Sequence, residues 1–299
     1  MKHKRLLSAL LAAVMVLCAF CSCNVEEIFG DLPYAVEEAF KPDLLVHFLD
    51  VGQGDSIFVE LPNGKTMLID TGENYHGEAI IDYISQCGYQ RIDYLVGTHP
   101  HSDHIGSMSY LVRNFKIGSI YMPKVSSNTE MYKNLLKSIK KQDLTVKNPR
   151  AGLKIIRGED FSARVIGPLE IDKDNLNNCS LVIRLDYRDT SFLFTGDAEK
   201  EELESINADM NADVLKVGHH GSTSSTNKAF LERVRPQIAV ISCGENNDYG
   251  HPHQATLRLL KNEGCDVYRT DRDGTVTVYT DGYRIGVDTN GKSIGRAKN

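Results

Sequence analysis

The sequence predicts an α/β fold in which two β-sheets pack together and helices cover them on the outside. Three observations predict it. Along residues 44–288, short β-rich runs alternate with segments of helical period. Such a chain buries one sheet face on another and covers the remaining faces with helices. The 299 residues are 41% hydrophobic and 25% charged, which suits one large domain or two small ones. The histidines also collect just after strand-like runs, seven of the ten in three clusters.

Taken in order, residues 44–51 and 55–61 read as strands joined by Gly52-Gln53-Gly54. A third strand, 65–70, follows the turn Pro62-Asn63-Gly64 and ends in Asp70-Thr71-Gly72. Residues 77–88 place Ala79, Ile80, Tyr83, Ile84 and Cys87 at helical spacing, with Gly88 as a stop. Strand 92–96 leads into the first histidine cluster, a helix is expected over 104–115, and a strand over 119–122. The helix expected over 129–142 turns Met131, Leu135, Leu136 and Ile139 inward. Its other face begins a run of eight basic residues against one acid in 133–157, read either as a strip for phosphates or as an ordinary solvated face. The second half predicts strands 161–166, 181–187, 191–195, 214–217, 238–242 and 267–269, and helices 199–206, 227–234 and 254–263. A hairpin of 275–280 and 283–287 turns at Asp281-Gly282, and 289–299 reads as a loose tail.

The opening residues read as a leader. Lys2, His3, Lys4 and Arg5 precede the apolar run 6–20, too short for a transmembrane helix and suited to a signal peptide. Ser22-Cys23 resembles a relaxed lipoprotein box, so residues 1–23 are expected to export the chain, with Cys23 lipidated. The expected location is the outer face of a bacterial cytoplasmic membrane, or the medium if the leader is simply cleaved. Residues 24–43, acidic and mixed, read as a spacer. Cys87, Cys179, Cys243 and Cys265 remain for the domain and are expected as buried free thiols rather than disulfides. A net charge of −6 excludes a generally basic nucleic-acid coat.

The chemistry concentrates in Thr98-His99-Pro100-His101-Ser102-Asp103-His104, a His-x-His-x-Asp-His pattern at a strand end. Imidazoles and a carboxylate converging there suit a borderline cation such as zinc. His99 and His101 share one side of an extended segment, while Asp103 and His104 follow the turn and can face a second ion. Two ions about 3.5–4 Å apart make a hydrolytic centre. Three further motifs follow strands. Asp197, in Gly196-Asp197, is the natural bridging carboxylate, although a strand-end Asp alone is ordinarily a turn residue. Of the neighbours His219 and His220, at most one is expected to be a ligand, since adjacent side chains point apart. His251 and His253, in Gly250-His251-Pro252-His253, are expected as substrate contacts or proton donors, against a plain helix-capping loop.

Together these residues resemble the metallo-β-lactamase fold hydrolases, whose Asp-Thr-Gly, His-x-His-x-Asp-His, Gly-Asp and late histidine occur in this order. The segment 47–56 (HFLDVGQGDS) is similar to the opening of the hydrolase domain of the competence protein ComEC and its free-standing relatives. Asn178–Val182, Val217–Ser222, Tyr249–Pro252 and Arg269–Asp271 fit the same subgroup, and the resemblance covers about residues 44–288. It implies an αββα sandwich with a dinuclear centre at one edge. His99 and His101 would bind the first ion and Asp103 and His104 the second. Asp197 would bridge, His219 or His220 would complete the second site, and Asp70 would orient the ligand loop. Many of these hydrolases carry a further histidine before the Gly-Asp motif. This chain has none from 105 to 218, and Asn178 and Ser180 stand in that region.

The leading expectation is therefore an exported phosphodiesterase or nuclease. It would use two ions, zinc or alternatively manganese, that lower the pKa of a bound water to near 7. Asp103 would position that water, and the substrate would be an anionic phosphodiester such as DNA. The same site with a cell-wall phosphoester, a lactone or a β-lactam is the alternative, and a non-catalytic, metal-stabilised surface binding protein is the alternative of another class. The sequence points to no protein partner.

Overall fold

The computed structural model describes residues 41–291, with side chains to 289. The leader, Cys23 and nearly all of the acidic spacer lie outside the described residues, as does most of the tail. Among the described residues no helix is long and apolar enough to cross a membrane.

The first sheet holds β1 (Leu44–Phe48), β2 (Ile57–Glu60), β3 (Thr66–Ile69), β4 (Arg91–Val96), β5 (Lys116–Tyr121) and β6 (Val146–Lys147), with β14 (Thr275–Thr280) and β15 (Ile285–Gly291) added beyond β1. From β15 to β3 it is antiparallel, and from β3 to β6 parallel. The second sheet runs in the order β13 (Asp266–Arg269), β12 (Ile238–Ile241), β11 (Val214–Lys216), β10 (Thr190–Phe194), β9 (Val182–Tyr187), β8 (Phe161–Gly167), β7 (Lys154–Arg157). Here β10 to β13 are parallel. Parallel strands need crossover connections, and the helices supply them. They are α1 (Gly77–Gln86), α2 (Ser102–Ile105), α3 (Met108–Asn114), α4 (Glu130–Lys141), α5 (Lys200–Ser205), α6 (Lys228–Val234) and α7 (Gln254–Asn262), while the short α8 (Thr270–Asp273) leads from β13 back to the first sheet.

Three apolar layers hold the sandwich. The middle one joins the two sheets through Val46, Phe48, Ile57, Phe192 and Phe194. One outer layer packs α1, α3 and α4 on the first sheet through Ile80, Leu111 and Leu135. The other packs α5, α6 and α7 on the second through Leu203, Phe230 and Leu260. A strand buried on both faces reads as a continuous apolar run, which is why Ile238–Ile241 is visible without alternation. The expected αββα layering is thus present.

Some expectations are corrected. The helix expected over 104–115 is broken into α2 and α3 at Gly106-Ser107. A Cβ on Gly106 would stand 2.7 Å from Asn74 N. The Ser107 hydroxyl donates to Glu73 O and accepts the His76 N–H, which pins the break to the loop after β3. Leu136 lies on the outer face of α4 at 41% exposure, because the buried stripe passes through Leu135 and Ile139 instead. Strands β6 and β7 were hidden inside the basic run, and the last strand continues to Gly291. All four domain cysteines are free; three are buried and Cys87 is half-buried.

Candidate metal centre

The parallel strands β3 and β4 of the first sheet and β10, β11 and β12 of the second deliver their carboxyl ends to one edge, where α/β folds ordinarily place their ligands. His99 and His101 follow β4, and Asp103 and His104 lie in α2. Asp197 follows β10, His219 and His220 sit in a 3-10 turn after β11, and His251 follows β12.

The backbone is strained where these side chains converge. Asp70, His219 and His220 all have positive φ, at 59°, 48° and 53°. Non-glycine residues adopt this region rarely and at a cost of about 1–3 kcal/mol, most often at functional sites. At Gly54 a Cβ would stand 2.4 Å from Asp103 O, so only glycine lets the loop before β2 lie on α2. There Asp55 N–H donates to Asp103 O at 3.0 Å.

Asp70 is buried behind the ligands. It accepts the Thr98 N–H at 2.8 Å and the Thr98 hydroxyl at 2.6 Å, and its Oδ2 lies 2.8 Å from His104 Nδ1. That contact fixes the proton on Nδ1 and leaves Nε2 for a cation. His220 is held the same way, its Nδ1 3.0 Å from Ser242 O and 3.4 Å from Asp55 Oδ1. Its Nε2 lies 3.1 Å from Asp103 Oδ2 and 3.5 Å from Asp197 Oδ2. His104 Nε2 approaches Asp197 Oδ2 at 3.2 Å. Ligand atoms of Asp103, His104, Asp197 and His220 all lie within 4.8 Å of one another.

Two observations show that this group fits a cation. His104 Nε2 and Asp197 Oδ1 are buried without a hydrogen-bond partner. The charges are also unbalanced in favour of a cation. Burial opposes the charged form of His104 and His220, yet the surrounding carboxylates, Asp197 foremost, hold both well above the usual imidazole range. Burial likewise opposes the carboxylates of Asp103 and Asp197, yet His104 and His220 hold both low. Protons on two imidazoles thus carry positive charge that a divalent ion can supply instead.

His99 and His101 form the other half. His99 Nε2 and His101 Nδ1 face each other at 3.0 Å, and burial lowers both imidazoles below their usual range. Ser180 stands behind them, its Oγ 3.2 Å from His99 Nδ1 and accepting the Asp197 N–H at 3.0 Å. Asn178 does not reach the ligands; its Oδ1 accepts the Glu199 N–H at 3.0 Å and steadies the loop after β10.

The pair at 219–220 separates by distance. His220 is in the four-residue group, whereas His219 lies outside it; its Nδ1 meets Ser224 Oγ at 3.1 Å and Glu199 Oε1 at 3.3 Å, and its Nε2 stands 3.7 Å from Asp197 Oδ2. His219 still lines the cavity in front of the centre, which measures about 430 Å³ and is also lined by Gln53, His101, Asp103, Asn177, Tyr249 and His251. Burial and the neighbouring His220, His219 and His253 push His251 down to about 4, so it is neutral at pH 7. His253 does not line the cavity; its Nδ1 accepts the Thr223 N–H at 3.1 Å at the start of α7. A separate cluster of His47, Glu60 and Cys87 needs no ion. His47 meets Thr277 Oγ1, Tyr83 Oη and Glu60 Oε1 at 3.0, 3.0 and 2.9 Å, and burial pushes the Cys87 thiol up to about 11.

Asp55, Lys216 and Tyr249 were missed as site residues. A lysine inside the apolar run Val214-Leu215-Lys216-Val217 was the available signal, since a charge inside a buried strand demands a partner.

Comparison with known proteins agrees with this geometry. The model of the metallo-beta-lactamase superfamily matches residues 49–245. ComE operon protein 3 of Bacillus subtilis is 35% identical over 251 residues, 77% of this chain and 32% of that protein. Recombination protein 2 of Haemophilus influenzae is 30% identical over 244 residues, 80% of this chain and 29% of that one. The chain thus spans about a third of the length of these curated relatives. Among solved structures, Igni18, a metallo hydrolase from Ignicoccus hospitalis, aligns with a TM-score of 0.53 at 15% identity, over 78% of this chain and 98% of that one, and shares the fold. The chain belongs to the metallo-beta-lactamase superfamily.

Proposed function

We propose that the chain is a metal-dependent phosphodiesterase with a dinuclear centre. The observation that carries this is the group of Asp103, His104, Asp197 and His220, beside the His99–His101 pair and open to a cavity of about 430 Å³. His99 and His101 would hold one ion and Asp103, His104 and His220 the other, with Asp197 between them. Zinc suits this donor set, and manganese is the alternative. When bound, such a pair supplies an activated water and neutralises charge on phosphoryl oxygens. Asp103, a quarter exposed and lining the cavity, orients the attacking water. Asp70, Asp55 and Ser242 keep the ligand imidazoles aimed forward. His251, neutral and facing the cavity, hydrogen-bonds the phosphoryl or leaving oxygen and can accept a proton. A relative named for recombination, a transaction of nucleic acids, supports a nucleic-acid diester. Export, and anchoring through Cys23, belong to the same proposal.

A second substrate class has one observation in its favour: no Lys or Arg lines the cavity among the described residues. A wall phosphoester, lactone or β-lactam needs no basic groove. Initial rates on a panel of phosphodiesters, lactones and a chromogenic β-lactam, with purified metal-loaded protein, separate the two. Preferred turnover of a lactone or β-lactam would overturn the phosphodiesterase proposal.

A further inference from the structure

Tyr249 is 68% exposed, yet it is not a loose surface residue. Its ring lies over His251, centroids 5.7 Å apart and planes 19° from parallel. The His251 ring in turn stands 5.5 Å from His219 and 6.2 Å from His220. A short aromatic ladder therefore climbs from the ligand cluster to the cavity mouth. The loop that carries it is braced from within. Asn247 donates through Nδ2 to Gly244 O and to His251 O at 2.9 and 2.6 Å, and its Oδ1 accepts the His251 N–H at 3.0 Å. His251 Nδ1 is buried and unpartnered at the foot of the ladder. A rigidly presented aromatic face beside a reacting centre is a binding platform, because it offers large contact area with little entropy left to lose.

The cavity chemistry says what the platform takes. Lys and Arg are the usual side-chain partners of a phosphate chain beyond the reacting group, and none lines the cavity among the described residues. Stacking on an aromatic face is the other general way to hold a single strand, and it tolerates any base. We infer that Tyr249 is a specificity-determining residue that stacks on the nucleobase beside the scissile phosphodiester, so that the site takes unpaired nucleotides rather than duplex. This rests on the phosphodiesterase proposal above. Stacking on Tyr249 places the base at the mouth and its phosphate over His251 and the ligand group. A base paired inside a duplex cannot offer its face there.

The test compares two diesters with the same leaving group, thymidine 5′-(p-nitrophenyl phosphate) and methyl p-nitrophenyl phosphate. A uridine ester serves as the ribose arm, separating DNA from RNA as the source. Metal-loaded wild type should favour the nucleoside esters through KM by roughly 5- to 100-fold. Tyr249→Ala should abolish most of that KM preference with bound metal unchanged, and Tyr249→Phe should retain it. Tyr283→Ala, which removes a tyrosine 65% exposed elsewhere, is the control. Equal KM values for the esters in wild type, or a preference that survives in Tyr249→Ala, would overturn the inference. If neither ester is cleaved, the phosphodiesterase proposal has failed. The stacking claim is then decided by anisotropy titration of a labelled single-stranded oligonucleotide and its abasic analogue: loss of discrimination in Tyr249→Ala upholds it, unchanged discrimination ends it.

Discussion

Lys216 Nζ lies 2.8 Å from Asp55 Oδ2, and each side chain is 1% exposed. Lys216 ends β11 of the second sheet, and Asp55 precedes β2 of the first. The pair is therefore a charged tie between the sheets, directly behind the ligands that each sheet contributes. Asp55 Oδ1 also stands 3.4 Å from His220 Nδ1. Burial alone would raise the Asp55 carboxyl, but Lys216 and the nearby imidazoles lower it to about 2.

Breaking one partner of such a pair leaves an uncompensated buried charge. Lys216→Met should destabilise the protein by about 3–5 kcal/mol. Combining it with Asp55→Asn should recover part of that loss, a coupling of about 1 kcal/mol or more. Urea melts of the four proteins measure the cycle. Strict additivity of the two single effects would show that the tie carries no coupling.

The protonated imidazoles set a pH dependence. His104 and His220 are held above the usual range, so in metal-free protein their contribution is present below about pH 6.5 and is lost as pH rises through their folded values. Asp55, lowered to about 2, and Asp103 and Asp197, lowered as well, contribute above about pH 4 and lose that as pH falls through their folded values. Metal-free protein should thus lose Tm as pH rises above about 6.5, whereas metal-loaded protein should lose much less. Metal binding near pH 7 should also release protons, visible as a buffer-dependent calorimetric enthalpy. Parallel Tm profiles with and without metal would contradict this account of the cluster.

Asp70 touches no substrate; it holds His104 and Thr98. Asp70→Asn should weaken metal binding by about 10–100-fold while the fold survives. Chelator competition measures the affinity, and a wild-type value would remove Asp70 from the positioning role.

Lys137, Lys140 and Lys141 are exposed on the C-terminal part of α4, whose N-terminal residue Met131 reaches the cavity. Lys133 is already paired with Glu130 at 2.8 Å. If the strip guides a polyanion, reversing these three charges should weaken single-stranded DNA binding and flatten its salt slope by about 0.7 per lost phosphate contact. An unchanged slope would assign the strip to solvent.

What was legible in the sequence had local causes. His99, His101, Asp103 and His104 crowd one strand end, so their convergence needs no knowledge of the fold. Strand β12 was legible because burial on both faces makes it continuously apolar. The Lys216–Asp55 tie was not, since its partners are 161 positions apart and meet only when the sheets pack. Neither was the choice of His220 over His219, which depends on two successive left-handed residues. The break between α2 and α3 depends on the 73–76 loop pressing on Gly106, a contact that helical periodicity does not contain.

The measurement that tests the central claim most directly is hydrolysis of bis(p-nitrophenyl) phosphate, beside labelled single- and double-stranded DNA. It uses metal-loaded wild type, metal-stripped wild type and Asp103→Ala. The account predicts metal-dependent cleavage of the diester and of single-stranded DNA, falling by about a hundred- to a thousandfold in Asp103→Ala, in the range seen when a transition-state contact is removed. Cleavage that persists in Asp103→Ala, or no cleavage of any diester by protein that binds its metals, would contradict it.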